Sequence, residues 1–307
     1  MVKSNYDVLI IGGSHAGLSA AMALGRLRRD VLIVDSQKAR NKVAEHANNI
    51  AGLDGVSPNE IRARGERDLK RYETVDFVHG SVMGVKKAQG HFILNLESGE
   101  TSIVRKVILA FGIKDKFPSI EGFESLWGQS VFHCPYCHGF EVRDKKIGIM
   151  GNGIYVEHMV PLMKNISEEL IIFTNEEAGP THEMSEQLKK YKIEVFNSAI
   201  QGLRYDGVEL KKVVLSEGLE VEVDALLMSP QIPFTLNSAI AEELGCERDD
   251  WGLIVTNESG ETTSSGVFAA GDIMSKRHSV LVAMANGQIA GSSAAFELSR
   301  EDFEKRV

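Results

Sequence analysis

A glycine-rich turn near the start of the chain constrains the fold more than any other stretch. The apolar run Val8–Ile11 leads into Gly12-Gly13-Ser14-His15-Ala16-Gly17, and a helix-forming stretch and a second apolar run, Val31–Val34, follow. The second run ends in Asp35. This order is typical of a βαβ unit that binds a dinucleotide, with the pyrophosphate at the helix N-terminus and the carboxylate on a ribose. Ser14 departs from the pattern, because it stands where the middle glycine is expected.

A second turn of the same kind, Gly151-Asn152-Gly153, lies between the apolar run Lys146–Met150 and another helix-forming stretch. The next predicted strand, Leu170–Thr174, is followed by Asn175-Glu176-Glu177, which offers no Arg or Lys to a 2′-phosphate. Glu176 could instead bind the ribose diol of NADH. The alternative is a helix–sheet unit that has lost its nucleotide.

Two of the three cysteines, Cys134 and Cys137, have the spacing of a redox dithiol, and His138 follows directly. Thiol–disulfide exchange needs an attacking thiolate, a second sulfur that resolves the mixed disulfide, and a group that transfers the proton. Pro135 suits the first turn of a short helix, whose N-terminus would favour the thiolate of Cys134. A zinc site that includes His133 or His138 is a weaker alternative, because no second Cys or His pair completes four ligands.

Further strands are predicted along the rest of the first half. A hairpin joins Gly90–Leu96 to Thr101–Val104, and a separate apolar strand, Lys106–Gly112, follows. A polar loop that comprises Arg40-Asn41 and Glu45–Gly52 precedes a helix that we expect to begin at Pro58, the favoured first helical position. The loop is expected to touch a ligand.

Two boundaries divide the chain into a first domain of residues 1–114 and 235–307 and a second of residues 115–234. The first boundary is the charged, proline-containing segment Lys114–Pro118. The second is the proline-rich crossing that follows Ala225–Met228. In the last segment an apolar strand runs into Gly271-Asp272, and the small residues of Ala283–Gly291 would let a helix approach a cofactor closely.

The composition is that of a soluble globular protein large enough for two domains, with 307 residues, 43% hydrophobic and 25% charged. The formal net charge is −9 without a long basic run, so nucleic acid is not expected as a partner. No apolar run approaches the ~20 residues of a membrane span, and no signal-peptide pattern opens the chain, so we expect a cytoplasmic protein. In that compartment structural disulfides are rare, so the three cysteines are interpreted as a catalytic pair and one structural residue, Cys246.

Four motifs in order resemble the low-molecular-weight thioredoxin reductase family of FAD-dependent disulfide oxidoreductases. They are Ile10–Ala21, Leu109–Gly112, Cys134–Gly139 and Gly266–Asp272, and the resemblance covers nearly the whole chain. It implies an α/β fold of two Rossmann-like nucleotide-binding domains of the three-layer ββα type, the second inserted in the first. It also implies a homodimer whose inserted domain rotates to offer the cysteine pair alternately to flavin and to partner.

The resemblance also assigns roles to single residues. Cys137 would face the flavin, Cys134 would exchange with substrate, and His138 would transfer protons. Asp35 would bind the adenosine ribose and Asp272 the ribityl chain. The implied FAD-binding residues are Gly12, Gly13, Ser14, Ala16, Gly17, Asp35, Asn49, Val82, Gly112, Gly271, Asp272, Ser279 and Val280, with Gly151 and Gly153 in the nicotinamide domain.

Two departures from thioredoxin reductases are informative. His138 stands in place of an aspartate acid, and Ser14 replaces a glycine. Both features resemble the branch that includes dithiol oxidases for natural products such as gliotoxin and holomycin. Because an imidazole titrates at about pH 6.5, His138 could exchange protons in either redox direction. The basic motif that holds NADPH is absent, which leaves the use of NAD(P)H open.

The leading hypothesis is an FAD enzyme that passes electrons between flavin, the Cys134–Cys137 pair and a thioredoxin-like protein or a small dithiol or disulfide. One alternative is a dithiol oxidase that uses oxygen. Another is a reductase that takes electrons from NADH or a protein donor instead of NADPH. A non-enzymatic flavoprotein that senses redox state is a minor alternative.

Overall fold

A computed structural model of the chain describes residues 2–229 and 233–305. Its strands are β1 (Asn5–Ile11), β2 (Val31–Asp35), β3 (Val75–His79), β4 (Val82–Ala88), β5 (His91–Leu96), β6 (Thr101–Leu109), β7 (Ile113–Asp115), β8 (Val131–Phe132), β9 (Ile147–Met150), β10 (Leu170–Phe173), β11 (Glu194–Phe196), β12 (Ile200–Asp206), β13 (Glu209–Leu215), β14 (Glu220–Glu222), β15 (Ala225–Met228), β16 (Phe234–Leu236) and β17 (Val267–Ala269). Its α-helices are α1 (His15–Arg26), α2 (Pro58–Leu69), α3 (Phe123–Leu126), α4 (Pro135–His138), α5 (Gly153–Met163), α6 (His182–Lys190), α7 (Ile240–Glu243) and α8 (Val280–Glu304). The predicted proline-rich crossing falls largely on residues 230–232, outside the described residues.

The chain divides into two compact units. Unit 1 comprises the described residues of Met1–Lys42, Pro58–Lys114 and Phe234–Val307, and unit 2 those of Val43–Ser57 and Asp115–Pro233. Val43–Ser57 is predicted to belong to the first domain, whereas this segment packs within unit 2. The Gln129 side chain donates to the Val43 carbonyl at 2.9 Å, across 86 residues of chain. Such a long-range contact leaves no local pattern in the sequence.

Unit 1 is built on a sheet with the strand order β3-β2-β1-β6-β5-β4, to which β17 adds by pairing with β6. β1 pairs in parallel with both β2 and β6. Alternate residues of β1 enter different cores, because successive strand side chains point to opposite faces. Val8 and Ile10 join α1 and α8, while Leu9 and Ile11 join β5. The sheet is therefore covered on both faces, which explains why β1 is apolar throughout.

The predicted strands Thr101–Val104 and Lys106–Gly112 are one continuous strand, β6. Its first part completes the antiparallel hairpin with β5, and its second part continues beside β1. The charged side chains of Arg105 and Lys106 suggest a break, but both are held by ion pairs to α8. Arg105 binds Glu301 at 2.7 Å, and Lys106 binds Glu297 at 2.6 Å.

Unit 2 has its own parallel sheet, with the strand order β11-β10-β9-β15-β8, and a separate antiparallel sheet of β12, β13 and β14. β9 leads through the turn at Gly151 into α5 and then to β10, which pairs with β9 in parallel. The predicted α/β class with two Rossmann-like domains is confirmed. None of the helices in the described part of the chain combines the length and apolar character needed to cross a membrane.

The small residues of α8 pack against α1. A Cβ atom on Gly287 would lie 2.0 Å from the Ala16 carbonyl oxygen, and one on Gly291 would lie 2.5 Å from that of Ala20. Only glycine permits backbones to approach so closely. The pattern of small residues predicts a close approach to a cofactor, whereas in the structure these two glycines serve the packing of α8 on α1.

Candidate functional site

The two cysteines of the predicted redox pair are joined as a disulfide at the start of α4, with their Cα atoms 5.3 Å apart. Cys134 is the N-cap residue and Pro135 is the first helical residue. The N–H groups of Cys137 and His138 both donate to the Cys134 carbonyl at 3.2 Å. Proline suits this position because it has no N–H and a helical φ. The sequence therefore folds into a single turn that carries both sulfurs.

The His138 ring stacks on Phe132, with ring centroids 5.4 Å apart. Neither ring nitrogen has a partner in good hydrogen-bond geometry within the described residues. Burial lowers the pKa of His138, and the Glu141 carboxylate and the Gly128 backbone oppose this without reversing it. The ring is therefore neutral near pH 7, and its free lone pair can accept the proton of a thiol.

Asn48 also contributes to this site; it lies in the loop that is predicted to touch a ligand, but the sequence does not single it out. Its side-chain amide donates to the Cys137 carbonyl at 2.9 Å, across 89 residues of chain. The predicted ligand residue Asn49 is next to it, in a left-handed conformation with φ 61°, and its N–H donates to Asp54. The loop that carries both residues therefore contacts the redox turn.

The glycine turn of unit 1 is tightly packed. Gly12 has φ +108°, and a Cβ there would lie 2.3 Å from the Ala110 carbonyl oxygen. The Gly13 N–H donates to Asp35 at 3.0 Å, which joins the turn to the end of β2. Ser14 is the N-cap residue of the 12-residue helix α1, but its side chain makes no capping hydrogen bond. The first N–H groups of α1 are therefore left for an anion.

His15 is 6% exposed, so its side chain does not face solvent. Arg62 donates to Asn41 Oδ1 at 3.4 Å, which orients that amide, and Asn41 Nδ2 donates to His15 Nε2 at 3.3 Å. In neutral His15 the proton must therefore be on Nδ1. This buried N–H has no partner among the described residues. A buried donor is left in this state where a ligand supplies its acceptor.

Asp272 follows β17 and accepts a salt bridge from Arg40 at 3.1 Å. Arg40 also donates to His278 Nδ1 at 2.9 Å. Next to Asp272, Gly271 has φ +82°, and a Cβ there would lie 3.1 Å from the Cβ of Ala16. The structure thus brings Ala16, Gly271 and Asp272 together at the start of α1. Arg40 lies in the polar loop that the sequence predicts to touch a ligand. Arg62 is a further basic residue of this region that sequence reasoning missed, because it lies in no motif.

Other predicted ligand residues take structural positions in unit 1. Ser279 caps α8 by accepting from the Val282 N–H at 3.2 Å, and Val280 is the first residue of that helix. The Gly112 carbonyl accepts from the Asn237 N–H at 3.2 Å. Val82 packs against the core formed by β1 and β5.

The burial of His15 predicts a loss of stability at acid pH. Burial, with Arg62 adding to it and Asp272 opposing it, lowers the pKa of His15 to about 4. Because the unfolded side chain titrates at about pH 6.5, the unfolded state binds more protons below that pH. The free energy of unfolding should therefore fall by up to about 3 kcal/mol from pH 6.5 to pH 4. Urea unfolding should show a flatter pH profile for His15→Gln, and equal slopes would contradict the assignment.

Residues 6–287 match the protein family described as pyridine nucleotide-disulphide oxidoreductase. The chain belongs to this family. It is 31% identical over 312 residues to "Thioredoxin reductase tcpT" of Claviceps purpurea, covering 95% of this chain and 94% of that protein. It is also 30% identical over 320 residues to "Thioredoxin reductase aclD" of Aspergillus oryzae, covering 99% of this chain and 100% of that protein.

An oxidoreductase structure from Agrobacterium tumefaciens superimposes on the chain with a TM-score of 0.87 and 35% identity, covering 96% of this chain and 98% of that one. The predicted resemblance to thioredoxin reductase-like enzymes is confirmed. The chain is a disulfide oxidoreductase, and the alternative of a non-enzymatic sensor is set aside.

For a pyridine nucleotide-disulphide oxidoreductase, the two glycine turns of this chain differ in an unexpected way. The turn of unit 1 leaves donors at the start of α1 for a dinucleotide. In unit 2, the Asn152 side chain accepts from the Tyr155 N–H at 3.1 Å, so the chain itself uses a donor of the corresponding helix. Glu176, the expected ribose ligand, is exposed in a left-handed conformation, and its N–H donates to the Asn197 carbonyl.

Proposed function

We propose that this oxidoreductase uses FAD to pass two electrons between a flavin, the Cys134–Cys137 pair, and a thioredoxin-like protein or a small dithiol or disulfide. The observation that carries the proposal is the disulfide at the N-cap of α4, with the half-buried His138 in the same turn. When bound, FAD would supply the two-electron chemistry. The chain would supply the sulfurs and the proton transfer.

The exchange is balanced in both directions. For a substrate dithiol, one substrate thiolate attacks Cys134 and forms a mixed disulfide, while Cys137 leaves as a thiolate. The second substrate thiolate then attacks the substrate sulfur of the mixed disulfide. This step releases the substrate as a disulfide and Cys134 as a thiolate. Each substrate thiol loses a proton, and the protein accepts two protons and two electrons. Neutral His138 is suited to accept one of these protons.

The residues of unit 1 support FAD as the cofactor. The first N–H groups of α1 suit its pyrophosphate, and the unpartnered Nδ1–H of His15 suits one of its acceptor atoms. Asp35 and Asp272 are the carboxylates that suit its hydroxyl groups. Gly12 and Gly17 keep side chains out of the turn, because a Cβ at either position would meet backbone atoms.

A second candidate function is dithiol oxidation with oxygen as the final acceptor. The observation that favours it is the position of His138 in the same turn as the disulfide, because a neutral imidazole there is suited to take the proton of an incoming thiol. A reductase that takes electrons from NADH or a protein donor is the alternative direction. Both share the exchange step at Cys134.

The test is to count thiols on the purified protein without denaturant, before and after anaerobic reduction with dithiothreitol and desalting. We expect two additional titratable thiols per chain, because Cys246 is buried. We also expect one FAD per chain in the extracted cofactor. No additional thiol after reduction would refute the proposal.

We also propose a homodimer formed through the exposed face of α8. Leu281, Ile289, Phe296 and Phe303 are exposed by 47%, 38%, 71% and 70%, and their spacing places them on one helix face. Light scattering should give twice the chain mass of 33.7 kDa, and Phe296→Asp with Phe303→Asp should give the single mass. The control is Tyr191→Asp, at an exposed aromatic of unit 2, which should stay dimeric. A monomeric wild-type protein would refute the dimer.

We place the enzyme in the cytoplasm, where a reducing environment would make Cys134–Cys137 a working pair instead of a structural disulfide. Cell fractionation tests this location, and recovery of the protein outside the cytoplasmic fraction would contradict it. Nucleic acid is not among the proposed partners, because the chain has a net charge of −9.

A further inference from the structure

The N-terminus of α5 in unit 2 has the outline of a dinucleotide site, but its donors are already used. The Gly153 N–H donates to the Ala178 carbonyl at 2.8 Å. The Tyr155 N–H donates to the Asn152 side chain at 3.1 Å. These are two of the first three N–H groups of the 11-residue helix, and a pyrophosphate at a helix N-terminus would need such groups.

The segment 178–181 covers this turn closely. A Cβ on Gly153 would lie 2.2 Å from the Gly179 carbonyl oxygen and 3.1 Å from the Cα of Pro180. The Thr181 N–H donates to Glu157 on α5 at 3.0 Å, which holds the end of the segment. Glycine at position 153 is therefore explained by the chain's own backbone. In unit 1 the closest atom to a Cβ on Gly17 belongs to the turn itself, the Gly12 carbonyl oxygen at 1.8 Å.

A buried tyrosine occupies the ends of the central strands of unit 2. A Cβ on Gly151 would lie 2.5 Å from the Tyr155 ring, just after β9. The Tyr155 hydroxyl donates to the Met228 carbonyl, at the end of β15, at 2.7 Å. In open α/β sheets, ligands bind outside the carboxyl ends of the strands. Here a side chain of the protein bridges two of these ends.

The charges around the turn also disfavour a phosphate. Between Gly151 and Glu183 the chain has one Lys or Arg, Lys164, and it pairs with Glu168. Glu157 contacts the covering segment, while Glu176 and Glu177 follow β10 and are exposed. Acidic groups near a phosphate site raise the free energy of binding, and no basic side chain offsets them in this stretch.

We propose that segment 178–181 closes the second glycine turn, so that unit 2 binds no nicotinamide dinucleotide and the enzyme takes its electrons from a dithiol. The second part rests on the proposed function, because it uses the exchange at Cys134–Cys137. In that half-reaction a dithiol becomes a disulfide, and the protein disulfide gains two electrons and two protons to become two thiols.

The first test is calorimetric titration of the purified holoenzyme with NADPH and with NADH, which measures binding and needs no turnover. We expect no saturable binding of either nucleotide up to about 1 mM. Saturable binding of either with a dissociation constant below about 1 mM would overturn the closed turn. Such binding would not contradict the proposed function, because the thiol count that tests that function involves no nucleotide.

The second test compares Gly153→Ala with the matched control Gly179→Ala, whose added Cβ would have no atom within 4 Å. Gly153→Ala should push segment 178–181 off the turn. We expect it to lower the melting temperature by about 3–8 °C and to speed protease cleavage in the segment, with no such changes in the control. Equal melting and cleavage in the two variants would show that the segment does not cover Gly153 and would overturn the closure.

The third test separates the electron source from the closure. Under anaerobic conditions, dithiothreitol should bleach the flavin absorbance of the holoenzyme, and NADPH and NADH should leave it unchanged. Bleaching by a nucleotide would overturn the proposal that a dithiol is the donor. The thiol count tests the proposed function separately: if dithiothreitol adds no titratable thiols, the proposed function is refuted. Failure of the dithiol donor and failure of the proposed function therefore give different results.

Discussion

Replacing Cys134 by serine is expected to reduce thiol–disulfide turnover by about 1,000-fold or more while the protein keeps its fold and its flavin. A hydroxyl does not form a mixed disulfide, so the variant loses the sulfur that, in the proposed function, exchanges with the substrate. Serine is a favoured N-cap residue, and Cys134 is the N-cap of α4, so the turn should still form. The measurement is the rate of reduction of a small disulfide or oxidation of a small dithiol, expressed per bound flavin.

The control for this experiment is Cys246→Ala. Cys246 is buried in the core of unit 1, and its sulfur lies 3.4 Å from the Thr262 hydroxyl. It has no role in the exchange, so the variant should keep its turnover within about threefold. If Cys134→Ser retained more than a tenth of the wild-type turnover, the pair would not be the site of exchange.

Gly17→Ala is expected to cost unit 1 both its flavin and much of its stability. The added Cβ would lie 1.8 Å from the Gly12 carbonyl oxygen and 3.0 Å from its carbon. Both are backbone atoms of the turn that would hold the pyrophosphate, so no side chain can rotate away to relieve the clash. Overpacking of a rigid site costs about 3 kcal/mol or more. The measurements are the flavin-to-protein ratio and the urea midpoint.

Gly80→Ala is the matched control for the turn variant. A Cβ at this position would have no atom within 4 Å, and its backbone does not need the left-handed region. We expect its stability to stay within about 0.5 kcal/mol of the wild type and its flavin content to be unchanged. A Gly17→Ala protein with a full complement of flavin would show that the turn does not hold the dinucleotide.

The sequence determined the features that depend on neighbours along the chain. The turn Gly12–Gly17 needs glycine for its own backbone geometry, and the apolar runs around it have the pattern of buried parallel strands. The redox turn is equally local, because Pro135 and the two-residue gap between the cysteines determine which atoms meet. The start of α2 at Pro58 follows the same rule. These features could be predicted because their causes lie within a few residues.

Tertiary structure alone decided which distant groups meet. Nothing local indicates that Asn48 bonds to the Cys137 carbonyl, or that Gly287 approaches α1. The two glycine turns look alike as sequence, yet the segment 178–181 covers Gly153, whereas Ser14 leaves the start of α1 uncapped. A glycine pattern indicates only that another group must approach the glycine backbone closely. Which backbone or ligand does so depends on long-range packing, and a carbonyl 25 residues away, as Ala178 is from Gly153, leaves no mark on the pattern.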